Sequence, residues 1–180
     1  MDPLALWRQN DAPDRQGITE IQHVTGYLAF WDDLLRRHPS LLIDSCASGG
    51  RRNDLETMRR AVPLWRTDFR LDPVGTQCHS YGISFWLPLS GTGTGVHEAY
   101  DFRSNMVPLL NCIWDVRVKD ADYHLMRRLC DQFRAVADCY LGDYYPLTPY
   151  SLEQTAWLAW QFDRPDLGKG IVQVFRRRES

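Results

Sequence analysis

Between Leu42 and Phe69 the chain reads LIDSCASGGRRNDLETMRRAVPLWRTDF, and this order of signals restricts the fold more than any other stretch. An apolar run gives way to a polar loop with paired glycines, then to a capped helical segment, then to a second apolar run ending on Asp68. Leu41 to Asp44 reads as a short buried strand. Asn53 and Glu56 have capping-box spacing for a helix through Met58 and Val62, with Glu56 and Arg60 paired four residues apart. Pro63 ends that helix, and Leu64 to Thr67 reads as the next strand, delivering Asp68 at its end. In α/β proteins the C-terminal ends of such strands are where chemistry usually sits.

The remaining chain continues the alternation. The apolar Leu4, Leu6 and Trp7 lead into a polar stretch, Gln9 to Gly17, which reads as a loop leaving the end of a strand. Ile21, Val24, Leu28, Trp31 and Leu35 recur at helical spacing from about Thr19, and Pro39 stops the run. Ile83 to Leu89 is a third buried run, followed by SGTGTG. That loop has neither of the glycine spacings that cradle phosphate, so it reads as a flexible βα connection. Cys112 to Val116 is a fourth strand candidate. A helix from about Asp122 to Leu141 carries Leu125, Leu129, Phe133, Val136 and Tyr140 on one face, with Gly142 at its C-cap. Past the connector YYPLTPY, Thr155 to Asp163 and Gly170 to Arg176 read as a β-hairpin joined by RPDLGKG. About four parallel-type strands alternating with helices, then an antiparallel module, define an α/β chain. A closed eight-stranded barrel takes about 250 residues, so half of one fits here.

Composition excludes several functions. A net charge of −2 offers no electrostatic footprint for nucleic acid, and Arg176 to Arg178 form only a short basic end. The longest apolar run, Ile83 to Leu89, is far too short to span a membrane. The five cysteines are odd in number and contain no C-x-x-C pair. With no signal peptide read at the start, reduced thiols and a cytoplasmic location are expected. The five histidines are scattered, so no metal is expected, and no cofactor. Seven tryptophans fit either core filling or the flat aromatic faces on which sugars stack, and composition leaves both open.

The loop Cys46-Ala47-Ser48-Gly49-Gly50-Arg51-Arg52-Asn53-Asp54, followed by Trp65-Arg66-Thr67-Asp68, resembles glycoside hydrolase family 36, the α-galactosidase-type enzymes. MDPLALWRQNDAPDRQG is similar to the segment after that family's nucleophile strand, and AWQFDRPDLGKGIVQVFRR to the opening of its C-terminal β domain. The resemblance therefore covers essentially the whole chain. It implies the C-terminal half of a (β/α)8 TIM barrel over residues 1–146 and the start of a β-sandwich domain over 147–180. It further implies retaining hydrolysis of terminal α-linked galactose in oligosaccharides. By this resemblance Asp68 is the acid/base, and Cys46 and Gly49 line the sugar pocket near the C2 hydroxyl. Arg52 and Asp54 match an Arg-x-Asp that either holds the loop or touches sugar, and Trp65 packs under the strand or stacks on substrate. Asn53, Arg66 and Phe69 depart from the family pattern, and Asp72 is the alternative acid.

Retaining glycosidases need two carboxyl groups about 5–5.5 Å apart. The resemblance places the nucleophile a few residues ahead of the segment that Met1-Asp2-Pro3 matches, and Asp2 falls too late to serve. The expectation is a fragment of a longer enzyme that keeps the acid/base and lacks the nucleophile. Its partner is then the missing N-terminal half of the barrel, or a second copy of itself. Two other readings stand beside this one: a non-catalytic sugar- or partner-binding remnant of the barrel, and an unrelated nucleotide- or phosphate-binding α/β protein.

Overall fold

The computed structural model describes residues 3–69, 72–95 and 97–178. Asp2, set aside above as a nucleophile, lies outside them. The chain forms two compact units, Met1–Ile43 with Asp54–Ala61, and Asp44–Asn53 with Val62–Ser180.

The first unit is helical: α1 Leu4–Asn10, α2 Ile18–Arg37 and α3 Leu55–Met58. The apolar Leu4, Leu6 and Trp7, expected at the end of a strand, lie instead in α1, which also takes Gln9 and Asn10 from the expected loop, and Trp7 lays its ring 5.2 Å from that of His23 on α2. α2 runs where the periodicity predicts, although Gly17 at its N-cap has no side chain to offer. The Asp11 carboxylate substitutes, accepting from Gly17 N at 2.7 Å, Thr19 N at 3.0 Å and Thr19 Oγ1 at 2.6 Å. The apolar stripe is buried at Trp31, whereas Ile21 and Val24 are exposed. α3 is shorter than the sequence suggests because Arg60 N and Ala61 N both turn back to the Thr57 carbonyl. Arg60 forks between Asp32, at 2.6 and 2.9 Å, and Glu56, at 2.8 Å.

The second unit contains α4 Pro73–Ile83, β1 Gly91–Thr94, α5 Ala99–Ser104, β2 Leu109–Cys112, α6 Tyr123–Val136, β3 Asp143–Pro146, β4 Leu158–Arg164 and β5 Lys169–Phe175. Among the described residues the parallel sheet proper has two strands, β1 and β2, not four. The expected strand at Leu41–Asp44 is reduced to one parallel bridge, Asp44 to Val62, with Ser45 N donating to Val62 O at 2.9 Å. Among the described residues, the expected strand at Leu64–Thr67 and the Pro63 before it together make two backbone bonds to Gly91. Gly91 N donates to Pro63 O at 2.7 Å, and Arg66 N donates to Gly91 O at 2.9 Å. A regular parallel ladder would use residues two apart; the extra residue here is a bulge, and Leu64–Trp65 turns out of the ladder.

The third strand is also displaced. Ile83 ends α4, Phe85 and Trp86 are exposed, and the supposed flexible loop GTGT is itself β1, buried at all four positions. Its smallness has a steric cause. A Cβ on Gly91 would overlap the Leu64 carbonyl, and one on Gly93 would lie 2.5 Å from the Trp65 ring and 2.9 Å from Asn111 O. β2 lies three residues earlier than read, because Asn111 Nδ2 donates to Leu64 O at 2.7 Å and to Thr92 O at 3.2 Å. Ile113 and Val116, which suggested the later strand, are exposed.

Two helices escape the periodicity. α4 starts with Asp72 capping Gly75 N at 2.7 Å and Pro73 at its first position. α5 is capped by Glu98, which accepts from Asp101 N at 2.9 Å. β1 meets α5 through polar pairs: Thr94 Oγ1 donates to Asp101 at 2.7 Å, and Thr92 Oγ1 lies 3.3 Å from Asn105 Oδ1. Burial, with repulsion from Glu98, raises the Asp101 pKa above its usual value against the pull of Thr94.

The expected helix to Leu141 divides into α6 and a 3-10 turn over Ala137–Leu141. The expected connector supplies β3, and the three-stranded antiparallel sheet has the order β3-β4-β5. The β4–β5 hairpin forms as expected, with Gly168 left-handed in its turn, although its first strand starts at Leu158 and not at Thr155. Leu158, Trp160, Phe162 and Phe175 of this sheet form the core with Tyr81, Phe102, Met106, Leu129 and Tyr140. Among the described residues no helix is long and apolar enough to cross a membrane.

Candidate active site

The Gly-rich loop is a tight turn closed by a bridge between Ala47 and Gly50. Its central residues both have positive φ, 49° at Ser48 and 71° at Gly49. For a serine that conformation costs about 1 kcal/mol, so something must hold it there. What holds it is contact with the segment that ends on Asp68. A Cβ at Gly49 would lie 2.6 Å from Asp68 N and 3.2 Å from Thr67 Cα. A Cβ at Gly50 would lie 2.8 Å from Arg66 O. Asn53 completes the contact, its Nδ2 donating to Arg66 O at 3.0 Å while its own N–H donates to Gly50 O at 3.2 Å. The two halves of the sequence motif are therefore one surface, and only glycine permits the approach.

Asp68 is exposed on this surface. Trp65 Nε1 donates to its Oδ1 at 3.0 Å, which fixes one carboxylate oxygen. The Trp65 ring rests against Gly93 of β1, so the indole joins the parallel sheet to the carboxylate. Phe69 N donates to Thr67 Oγ1 at 3.1 Å and turns the chain after Asp68. Cys46 and Arg52 are exposed, and Gly49 is buried against the backbone of Thr67 and Asp68. All five cysteines are free thiols.

Asp54 belongs to the helical unit, where it is the N-cap of α3 and accepts from Thr57 N at 2.9 Å and Thr57 Oγ1 at 2.8 Å. Partial burial raises its pKa, but the Thr57 bonds outweigh burial and hold it below the usual carboxylate value. The capping role expected of Asn53 thus falls to Asp54, because the Asn53 amide is engaged by Arg66 O. Asp54→Ala should cost about 1 kcal/mol, whereas Asp54→Asn should stay within a few tenths, since asparagine caps equally well. Urea midpoints of the two variants check this. Equal losses in both would mean that the charge, not the cap, matters. Asp72, the alternative acid, has one oxygen engaged at the N-terminus of α4.

Sequence reasoning overlooked Asn53 and Thr67 as the contact between the loop and the segment that ends on Asp68. The available signal was the glycine pair, which marks a close approach of two backbones.

A family model described as Melibiase matches residues 7–112. Alpha-galactosidase 1 of Pediococcus pentosaceus is 25% identical over 178 residues, covering 91% of this chain and 24% of that protein. Alpha-galactosidase AgaA of Geobacillus stearothermophilus is 24% identical over 179 residues, with 91% and 24% covered. The solved structure of the AgaA enzyme in complex with raffinose superposes with a TM-score of 0.76 at 20% identity, over 92% of this chain and 24% of that one. The α-galactosidase from Lactobacillus brevis gives 0.75 at 20% identity, over 90% and 24%. This likeness shows a shared fold. The chain spans about a quarter of the length of the curated relatives it matches.

Proposed function

The chain belongs to the Melibiase family, the α-galactosidase-like region of glycoside hydrolase family 36, and we propose that it forms the acid/base side of a site that hydrolyses terminal α-linked galactose. Residues 1–146 are then part of a TIM barrel and residues 147–180 open a β-sandwich domain. Asp68 protonates the glycosidic oxygen as the bond breaks and later takes a proton from the attacking water. The Trp65 indole holds Oδ1, leaving Oδ2 for the substrate. Cys46 and Gly49 line the side of the sugar that carries its C2 hydroxyl, with Arg52 and Asp54 in the supporting Arg-x-Asp.

The observation that carries this reading is Gly49 against the backbone of Thr67 and Asp68. This approach supports taking the loop and Asp68 as parts of one site. The nucleophile comes from a further barrel segment. Exposed Ile21, Val24 and Phe30 on α2, and Val172 and Val174 on β5, support surfaces that such a segment or a second copy of the chain would cover. Five unpaired thiols support a reducing, cytoplasmic setting.

The purified 180-residue chain should self-associate and should not release nitrophenol from an aryl α-galactoside above background, because one carboxyl group cannot run a double displacement. Robust hydrolysis by the chain alone would sink this reading. A non-catalytic binding remnant would instead stay a soluble monomer, and the exposed apolar residues on α2 and β5 weigh against that.

A further inference from the structure

Arg66 is 2% exposed and, among the described residues, has no carboxylate among its hydrogen-bond partners. Its Nη2 donates to Ser80 Oγ at 2.6 Å and to Thr76 O at 3.4 Å, and its Nη1 to Ser90 Oγ at 3.3 Å. Its Nε is buried with no partner among the described residues. Three neutral oxygens satisfy part of the guanidinium and neutralise none of it. Burying a cation in that state costs several kcal/mol unless an anion completes it. Burial lowers the Arg66 pKa to about 10, which leaves the side chain charged at neutral pH. His79 reports that charge: its pKa is lowered first by burial and then by Arg66.

Arg66 lines a cavity of about 470 Å³ whose wall also includes Asn53, Thr67, Cys78, His79 and Trp86. No described residue lining it is acidic. The wall does offer neutral donors. Asn53 has a second amide hydrogen, the Thr67 hydroxyl hydrogen is not used in accepting from Phe69, and a neutral His79 carries one ring N–H. We propose that this cavity binds an oxyanion group, phosphate or carboxylate, against the Arg66 guanidinium, with Asn53, Thr67 and His79 as the neutral donors around it. A cation flanked by neutral donors suits such a group because charge-assisted bonds to an oxyanion exceed neutral ones in strength. The site does not depend on the glycosidase reading and holds equally for a non-catalytic binding remnant. The oxyanion arrives either free or as the acidic group of a sugar.

Thermal unfolding of the purified chain in sodium phosphate, against sodium chloride at equal ionic strength, tests the site. Phosphate should raise Tm along a saturating curve, by roughly 5–10 °C at a hundredfold excess over Kd. Galacturonate that displaces phosphate where galactose does not would assign the group to an acidic sugar. Phosphate that galacturonate cannot displace would assign it to a free oxyanion. Arg66→Met should abolish the saturable response. Should that variant fail to fold, His79→Phe, at a less buried wall position, should weaken the apparent phosphate affinity several-fold, each phosphate curve being read against the same variant's own Tm in chloride. Matching phosphate and chloride curves for the wild-type chain, or a full phosphate response in either folded variant, overturns the proposal.

Discussion

Gly91→Ala should destabilise the chain by at least about 3 kcal/mol or prevent it from folding, the effect expected of overpacking against an immovable backbone. The added methyl would overlap the Leu64 carbonyl oxygen and lie 2.6 Å from its carbon. Neither atom can move without breaking the bonds that Gly91 makes to Pro63 O and from Arg66 N. Because those bonds also position Trp65 and Asp68, the loss should reach the candidate site as well as the sheet. Gly26→Ala is the matched control. Gly26 sits inside α2 with nothing within 4 Å of its added methyl, so that change should stabilise by roughly 0.5–1 kcal/mol. Chemical denaturation of both variants reads the contrast directly. A Gly91→Ala midpoint equal to wild type would remove the close approach from the account.

The second large effect concerns Asp68. When this chain replaces the matched quarter of the Geobacillus stearothermophilus enzyme AgaA, Asp68→Asn should lower kcat/KM by about 10²–10⁴-fold on α-galactosides with poor leaving groups. The loss should shrink on aryl substrates whose leaving group departs without protonation. Asparagine retains an oxygen to accept from Trp65 Nε1, so the change removes the transferable proton and leaves the geometry. Equal losses on both substrate types would assign Asp68 to binding or support instead of proton transfer.

The pattern of success in reading the sequence has physical causes. α2 was legible because a twenty-residue helix repeats its apolar face several times before Pro39. The β4–β5 hairpin was legible for a similar reason, as its strands flank a turn containing Pro165 and Gly168. β1 was not, since hydrophobicity identifies strands by large side chains and this one is buried by having almost none. α4 failed differently. Its buried face includes Thr76, Gln77 and Ser80, whose partners Arg66, Ser104 and Tyr100 lie far along the chain. No local pattern announces a polar core, although the Asp72-Pro73 start was a usable signal. β3 was hidden by its Pro146 and tyrosines, which suit the end of an edge strand as well as a connector.

In the candidate site, the resemblance supplied Asp68 and the Gly loop, and the spacing gave their order. The Trp65 bond to Asp68 and the Asn53 bond to Arg66 depend on the turn at Leu64–Trp65, which the expected strand conceals. Arg66 stood out as a departure from the family pattern, but only three-dimensional packing reveals a buried cation with an unpartnered Nε.

The central claim is that the turn at Cys46–Gly50 and the Trp65–Asp68 segment make one wall of a galactose site. The most direct measurement is a galactose titration of the isolated chain, followed by amide and indole NMR shifts. The account predicts saturable shifts, at roughly millimolar affinity, confined to the Gly49, Gly50 and Asp68 amides and the Trp65 indole N–H. Galactose that leaves the Trp65 indole and Gly49 amide signals unmoved, or that saturates a different surface, would contradict it.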